Sequence, residues 1–217
     1  MPVSRDARAS MLTYYDGVSR WMKPGVEGLT DDPNATIAAA RDRFDALLDE
    51  IPYVDRPDHT MAFSMFGCAA MLAVWEVLRE QGVDVHAWGR ALYALPPFVG
   101  EPSEERRAKE RRDAAASQEQ AAPNEFVWEI VDADEQGDRG MNITSCAICH
   151  LFGRHDAMDL VPYMCAYDDA TDAVAKDGLR RTGTIALGEA RCDFRFREGD
   201  PRPLASQYPD RIRIDEV

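Results

Sequence analysis

Apolar residues recur at helical spacing through the first half of the chain and at alternate positions through part of the second. Between residues 5 and 22, Met11, Leu12, Tyr15, Val18 and Met22 form one helical stripe, and Pro24-Gly25 is expected to end it. Asp31 or Asp32 ahead of Pro33 reads as the start of a second helix running through Leu48. Pro52 and Pro57 punctuate the next stretch. The most apolar segment then runs from Asp58 to Gln81. With Asp58 as its cap, Gly82 as its stop and apolar residues nearly all round, it predicts a central buried helix. A further helix from about Asp84 to Leu95 ends at Pro96-Pro97, and residues 101–121, nearly all charged or small, read as a solvated helix or a mobile linker.

Beyond residue 125 the period changes. Phe126, Trp128 and Ile130 alternate with their neighbours and predict a strand. Residues 137–140 are turn material, and Met141, Ile143 and Ser145 form a second alternating run. Helical segments are expected at 146–153 and 157–175, with a break at Gly178. Residues 179–187 and 191–197 read as an antiparallel pair around a turn at Gly188. Arg180, Thr182, Thr184 and Ala186 would share one face; Cys192, Phe194 and Phe196 would share the apolar face of the other strand. The proline-rich tail from Gly199 is expected to wrap the surface. The pattern predicts an α+β fold: an N-terminal helical half (1–121) packed on a small antiparallel sheet with helices in the C-terminal half (122–217), as one integrated domain.

With 45% hydrophobic and 29% charged residues in 217, the chain can bury an ordinary core. A net charge of -14 repels nucleic-acid phosphates and anionic membranes, so neither is an expected partner. The N-terminal residues lack the apolar run of a secretion signal, and no segment is expected to span a bilayer, which predicts the cytoplasm. The five cysteines, Cys68, Cys146, Cys149, Cys165 and Cys192, are then expected as thiols.

Three clusters carry candidate chemistry. In the first, Cys146, Cys149 and His150 stand at i, i+3 and i+4. If Thr144 or Ser145 caps a helix there, Cys146 sits in its first turn, where free N–H groups and the helix dipole favour a thiolate. The string also matches the C-x-x-C-H haem-attachment pattern, and the CxxC pair with Cys165 and Cys192 has the ligand types for structural zinc. Small core cysteines are the plainest alternative. In the second cluster, Pro162 places Cys165 near a helix start, with Asp168 and Asp169 following at i+3 and i+4. These aspartates, with Asp172, equally suit a solvated acidic face. In the third, Arg180 to Thr184 precede Cys192 to Phe196. There Cys192 points inward, while Asp193, Arg195 and Arg197 point outward, where they suit cross-strand ion pairs.

The order of these pieces is informative: Ile143-Thr144-Ser145-Cys146, then Cys165 with Asp168, then Arg181-Thr182-Gly183-Thr184-Ile185-Ala186-Leu187-Gly188 and Cys192-Asp193-Phe194-Arg195-Phe196. It resembles the L-2-amino-thiazoline-4-carboxylic acid hydrolase family over roughly residues 125–198. The resemblance implies hydrolytic opening of a small cyclic isothiourea or amidine bearing a carboxylate, with no cofactor expected and zinc as the alternative. Fitted to that chemistry, Cys146 is the first candidate nucleophile and Cys165 and Cys192 are alternates. Asp168 would hold the amidinium and His150 would shuttle a proton. Arg181 would bind the carboxylate in a bidentate contact, with Thr184 and Asp193 as further substrate-binding candidates. A non-catalytic small-molecule sensor and a Cys/His metal-binding protein are the competing functions.

Overall fold

The computed structural model describes residues 3–97, 103–133, 139–175 and 177–197. The expected tail from Gly199 and the first part of the turn at 137–140 lie outside these residues. Helix α1 (Arg5–Glu27) opens on Ser4, whose Oγ accepts the Ala7 N–H at 3.2 Å. It runs past Pro24, contrary to the sequence expectation. One missing donor near a helix end is a small loss, and the extra turn buries Val26 completely. Gly25 lets the chain approach Ala91 and Trp88, to which an added Cβ would lie at about 3.5 Å.

Helix α2 (Pro33–Leu47) is capped by Asp32 with proline at its start, as its sequence predicts. Helix α3 (Ala62–Glu80) begins later than expected, and Asp58 is not its cap. Residues 51–61 form turns instead, with Tyr53 at φ 73°. The Thr60 N–H and hydroxyl both donate to Asp113. By length and hydropathy α3 is apolar enough to cross a membrane, contrary to the sequence expectation; 67% of that window is buried inside the protein. Helix α4 (Val85–Tyr93) is capped by Asp84.

Residues 104–120, the charged stretch, form helix α5 (Glu104–Gln120). It is fixed to strand β1 (Val127–Val131): Ser117 Oγ receives the Trp128 N–H at 3.1 Å and donates to the Trp128 carbonyl. Strand β2 (Arg139–Ser145) leads into α6 (Ala147–Arg154), a 3-10 turn (Met158–Leu160) and α7 (Val161–Ala175). Strands β3 (Leu179–Arg180) and β4 (Cys192–Phe196) complete an antiparallel sheet in the order β1-β2-β4-β3. Among the described residues the fold is therefore α+β, and one core joins both halves: Tyr15, Phe44 and Leu72 belong to the same cluster as Trp128, Phe152 and Tyr163.

The sheet is tightest where β2 crosses β4. Gly140 pairs with Arg195, and a Cβ there would sit 1.9 Å from the Phe194 carbonyl oxygen. Backbone cannot move aside as a side chain can. Gly140→Ala is expected to cost about 2 kcal/mol, within the range for overpacking, read as a lower urea midpoint with unchanged slope.

Candidate functional site

The predicted third strand stops at Arg180, because Asp193 pulls the next residues off the ladder. Its carboxylate accepts the Thr182 and Gly183 N–H groups at 2.8 and 2.9 Å and also the Thr182 hydroxyl. A 3-10 turn (Ile185–Leu187) comes next, closed by Gly188 at φ 96°. Asp193 thus organises a loop, and the expected outward ion-pair role is replaced. Arg195 donates instead to Asn142 Oδ1 at 3.0 Å and to the Met141 and Phe194 carbonyls. Burial pushes the Asp193 carboxyl up, but the Thr182 and Gly183 donors outweigh it and hold it below the ordinary value. A carboxyl depressed in this way stabilises the fold above its unfolded pKa, and that contribution is lost as pH falls through the folded value. Asp193→Ala is expected to cost about 1–2 kcal/mol from stranded N–H donors. The deficit should be level from pH 7 to 5 and shrink only below about pH 4, measured by urea midpoints across that range.

This loop carries Arg181 inward. Its side chain is 1% exposed. Nη1 donates to Asp168 Oδ2 at 2.8 Å and Nη2 to the Cys165 carbonyl at 2.7 Å; Asp169 Oδ2 lies 3.6 Å away. The guanidinium stacks on Phe194, 4.8 Å from the ring centroid. Asp169 and Asp172 are buried, so the solvated-face reading of the α7 aspartates does not hold. Asp172 receives N–H groups of residues 177–179, and Asp168 and Asp169 face the guanidinium.

Four cysteines belong to this part of the fold. Cys192, at the start of β4, is buried and accepts the Ile185 N–H at 3.3 Å. Cys146 occupies the N-cap position of α6, so neither Thr144 nor Ser145 does. Cys165 comes from α7, and Cys68 comes from the middle of α3. Cys146, Cys165 and Cys192 lie within electrostatic reach of one another, Cys165 and Cys192 also of Asp168, and Cys68 is within reach of Cys146 and Asp168. Nothing in the sequence separated Cys68 from an ordinary core cysteine of an apolar helix.

Surrounding protein raises the pKa of Cys68 and Cys165 and of the Asp168 carboxyl, the last opposed by Arg181. Yet these groups are not sealed: both cysteines are half-buried, and Asp168 keeps 45% of its side-chain surface accessible. The expected thiolate at Cys146 is reversed. Its hydrogen bond with the Cys149 thiol, and then burial, raise its pKa well above normal, although the Ile148 and Cys149 N–H groups pull the other way. Burial moves Cys192 up to about 11, with the Ile185 N–H opposing.

Three buried hydroxyls have no hydrogen-bond partner among the described residues: Tyr14, Tyr93 and Thr184. Tyr14, on α1, neighbours Cys68; Tyr93 stands by Asp169; Thr184, 2% exposed, adjoins Ile185 and so Cys192. His150 lies apart. It is exposed, and its Nε2 is 2.9 Å from Ser145 Oγ. A separate hollow of about 280 Å³ lies between α5 and the 51–61 turns. Its charges are largely matched internally, Arg56 with Glu125 and Lys109 with Asp113 and Asp58. Among the described residues no three His, Cys, Asp or Glu side chains are arranged to hold a metal ion.

Fold and site together define an α+β protein in which a buried arginine, Arg181, is paired with the partly accessible Asp168 close to several free thiols. The L-2-amino-thiazoline-4-carboxylic acid hydrolase family model matches residues 67–196, and the chain belongs to that family. The match begins inside α3 and ends on β4, so it takes in all four thiols, Asp168 and Arg181 but neither α1 nor α2. No curated protein and no solved structure matches the chain.

Proposed function

We propose that the chain is a hydrolase that opens a small cyclic amidine or isothiourea by adding water at the carbon between its heteroatoms. The observation that carries this reading is the Asp168–Arg181 ion pair with Cys165, whose carbonyl accepts from Arg181, and with Cys68 and Cys192 near enough to feel the Asp168 charge. Membership of the family supports this reaction class.

The charges suit such a substrate. One guanidinium faces two carboxylates, Asp168 and Asp169, which leaves surplus negative charge inside the protein. A protonated amidine brings the missing positive charge and sits against Asp168. Its approach also lowers the pKa of a nearby thiol, since an adjacent cation favours the thiolate. Cys192 is the thiol best placed to respond. It has a backbone N–H on its sulfur and Arg181 nearby, whereas the Cys146 thiol is engaged with Cys149. Cys192 Sγ adds to the amidine carbon, the proton it loses passes to Asp168, and the ring bond to the leaving heteroatom breaks as that atom takes the proton. Water then adds to the same carbon and expels the thiol, so the net change is one water gained. No cofactor enters these steps.

The test is a panel of cyclic amidines, thiazolines and related heterocyclic acids incubated with the purified protein. A mass gain of one water on a member of this panel is the expected result. No mass change on any member, at enzyme concentrations that would reveal a slow reaction, refutes the reading.

A further inference from the structure

Cys146 and Cys149 take no part in the steps of the proposed hydrolysis, yet they form the one CxxC pair in the chain. Cys146 holds the N-cap position of α6 and Cys149 lies in its first turn. The His150 N–H closes that turn on the Cys146 carbonyl at 3.1 Å. The backbone angles of the two residues between the cysteines set the distance between their Cα atoms. Residues 147 and 148 are helical, so that distance is the helical one, about 5 Å. Disulfides span Cα separations of about 4.4–6.8 Å. N-cap and N3 side chains also meet on one side of a helix start, as they do in a capping box. In agreement, the Cys146 thiol is hydrogen-bonded to the Cys149 thiol. Both cysteines are half-buried and so remain open to a small reagent. The other three stand on α3, α7 and β4, each without a second cysteine within a turn of its own element.

We propose that Cys146 and Cys149 are a redox dithiol, closed to a disulfide by small-molecule disulfides while Cys192 stays a thiol. One cysteine of the pair, as its thiolate, attacks a sulfur of the small disulfide. That S–S bond breaks, a mixed disulfide forms and one small thiolate leaves. The second cysteine gives up its proton and attacks the protein-side sulfur of the mixed disulfide. The bond between Cys146 and Cys149 forms, the second small thiolate leaves, and each small thiolate takes up a proton. Two protein thiols are oxidised, and one small disulfide is reduced to two thiols. Cys192 lacks this second step: it is buried, its sulfur accepts the Ile185 N–H, and β4 offers no other cysteine. The dithiol stands on the geometry of α6 and is independent of the proposed function.

The experiment equilibrates the folded protein in mixtures of reduced and oxidised glutathione, quenches with acid, alkylates the remaining thiols in denaturant and digests with trypsin. Circular dichroism is recorded on each sample before the quench. Cleavage after Arg139 and Arg154 releases residues 140–154, which hold Cys146 and Cys149 and no other cysteine. The expected result is that this peptide loses both alkyl labels together as the oxidised fraction rises, and is then two hydrogens lighter than the unlabelled dithiol. Cys192 stays labelled over the same range, and the circular dichroism is that of the folded protein. Cys146→Ser and Cys149→Ser each abolish the two-hydrogen loss and leave one glutathione on the remaining cysteine. The proposal is overturned if the wild-type peptide keeps both labels at every ratio, carries glutathione in place of the internal bond, or is cross-linked to Cys68, Cys165 or Cys192. A two-hydrogen loss that appears only in samples whose circular dichroism shows unfolding overturns it as well.

Discussion

Replacing Cys192 by serine is expected to lower turnover on the order of 10³-fold or more, as loss of an attacking nucleophile does, with the fold intact. Serine differs by one atom and can still accept the Ile185 N–H, so the loop at 185–188 keeps its anchor. What is lost is the soft nucleophile. A serine hydroxyl, with no adjacent histidine among the contacts of Cys192, is not ionised by an incoming amidinium as a thiol is. Cys146→Ser should fall far less, by about tenfold or under on the same scale, because the Cys146 proton is held by Cys149. Steady-state kinetics on the best member of the amidine panel separates the two. Full activity in Cys192→Ser, with loss in Asp168→Asn, would transfer the chemistry to a water molecule activated by the carboxylate.

Arg181→Met is expected to destabilise the protein by about 3 kcal/mol, the lower end of the range for deleting one partner of a buried ion pair. Methionine fills much of the volume and still packs on Phe194, so the loss is electrostatic: the Asp168 and Asp169 carboxylates no longer face a cation. The lower end applies because Asp168 remains partly accessible to water. For a protein of this size the change corresponds to a melting temperature lower by about 6–12 °C. The deficit should depend on pH. Burial already raises the Asp168 pKa despite Arg181, and without the guanidinium it rises further. A carboxyl with a raised folded pKa favours the folded state at low pH and loses that contribution as pH rises. The Arg181→Met deficit is therefore largest near pH 7 and smaller near pH 5, which urea midpoints at the two pH values would show. A deficit independent of pH would mean that packing, not charge, is what Arg181 supplies. Arg181→Lys keeps the charge without the fork that reaches both Asp168 and the Cys165 carbonyl, and should lie between the two proteins.

Much of the fold was legible because its signals are local. The stripe of Met11, Tyr15, Val18 and Met22, the Asp32-Pro33 and Asp84 helix starts and the alternation around Trp128 each report a structure formed within a few residues of itself. The misplaced boundaries share one cause. Helix α1 passes Pro24 because Val26 has a core to enter, α3 starts late because Thr60 is held by Asp113, and β3 stops because Asp193 takes the next N–H groups. In each case a partner remote in sequence outweighed the local preference.

For the site, the sequence by itself determined the chemistry at hand: thiols at 146, 165 and 192, a carboxylate at 168 and an arginine at 181, in an order that carries the family resemblance. Only the tertiary structure decided how they are used. It brought Cys68, with Tyr14 beside it, into the electrostatic surroundings of Asp168 from helices that had no visible link to it, and left His150 exposed beside Ser145. It also joined Arg181 to Asp168 within the protein. The physical reason is range. Residue type and spacing fix a side chain's reactivity and the face it takes on its own element. Charge, burial and hydrogen-bond partners arise where different elements meet, and for a group such as the Cys146 thiol these reversed the expectation of the helix terminus alone.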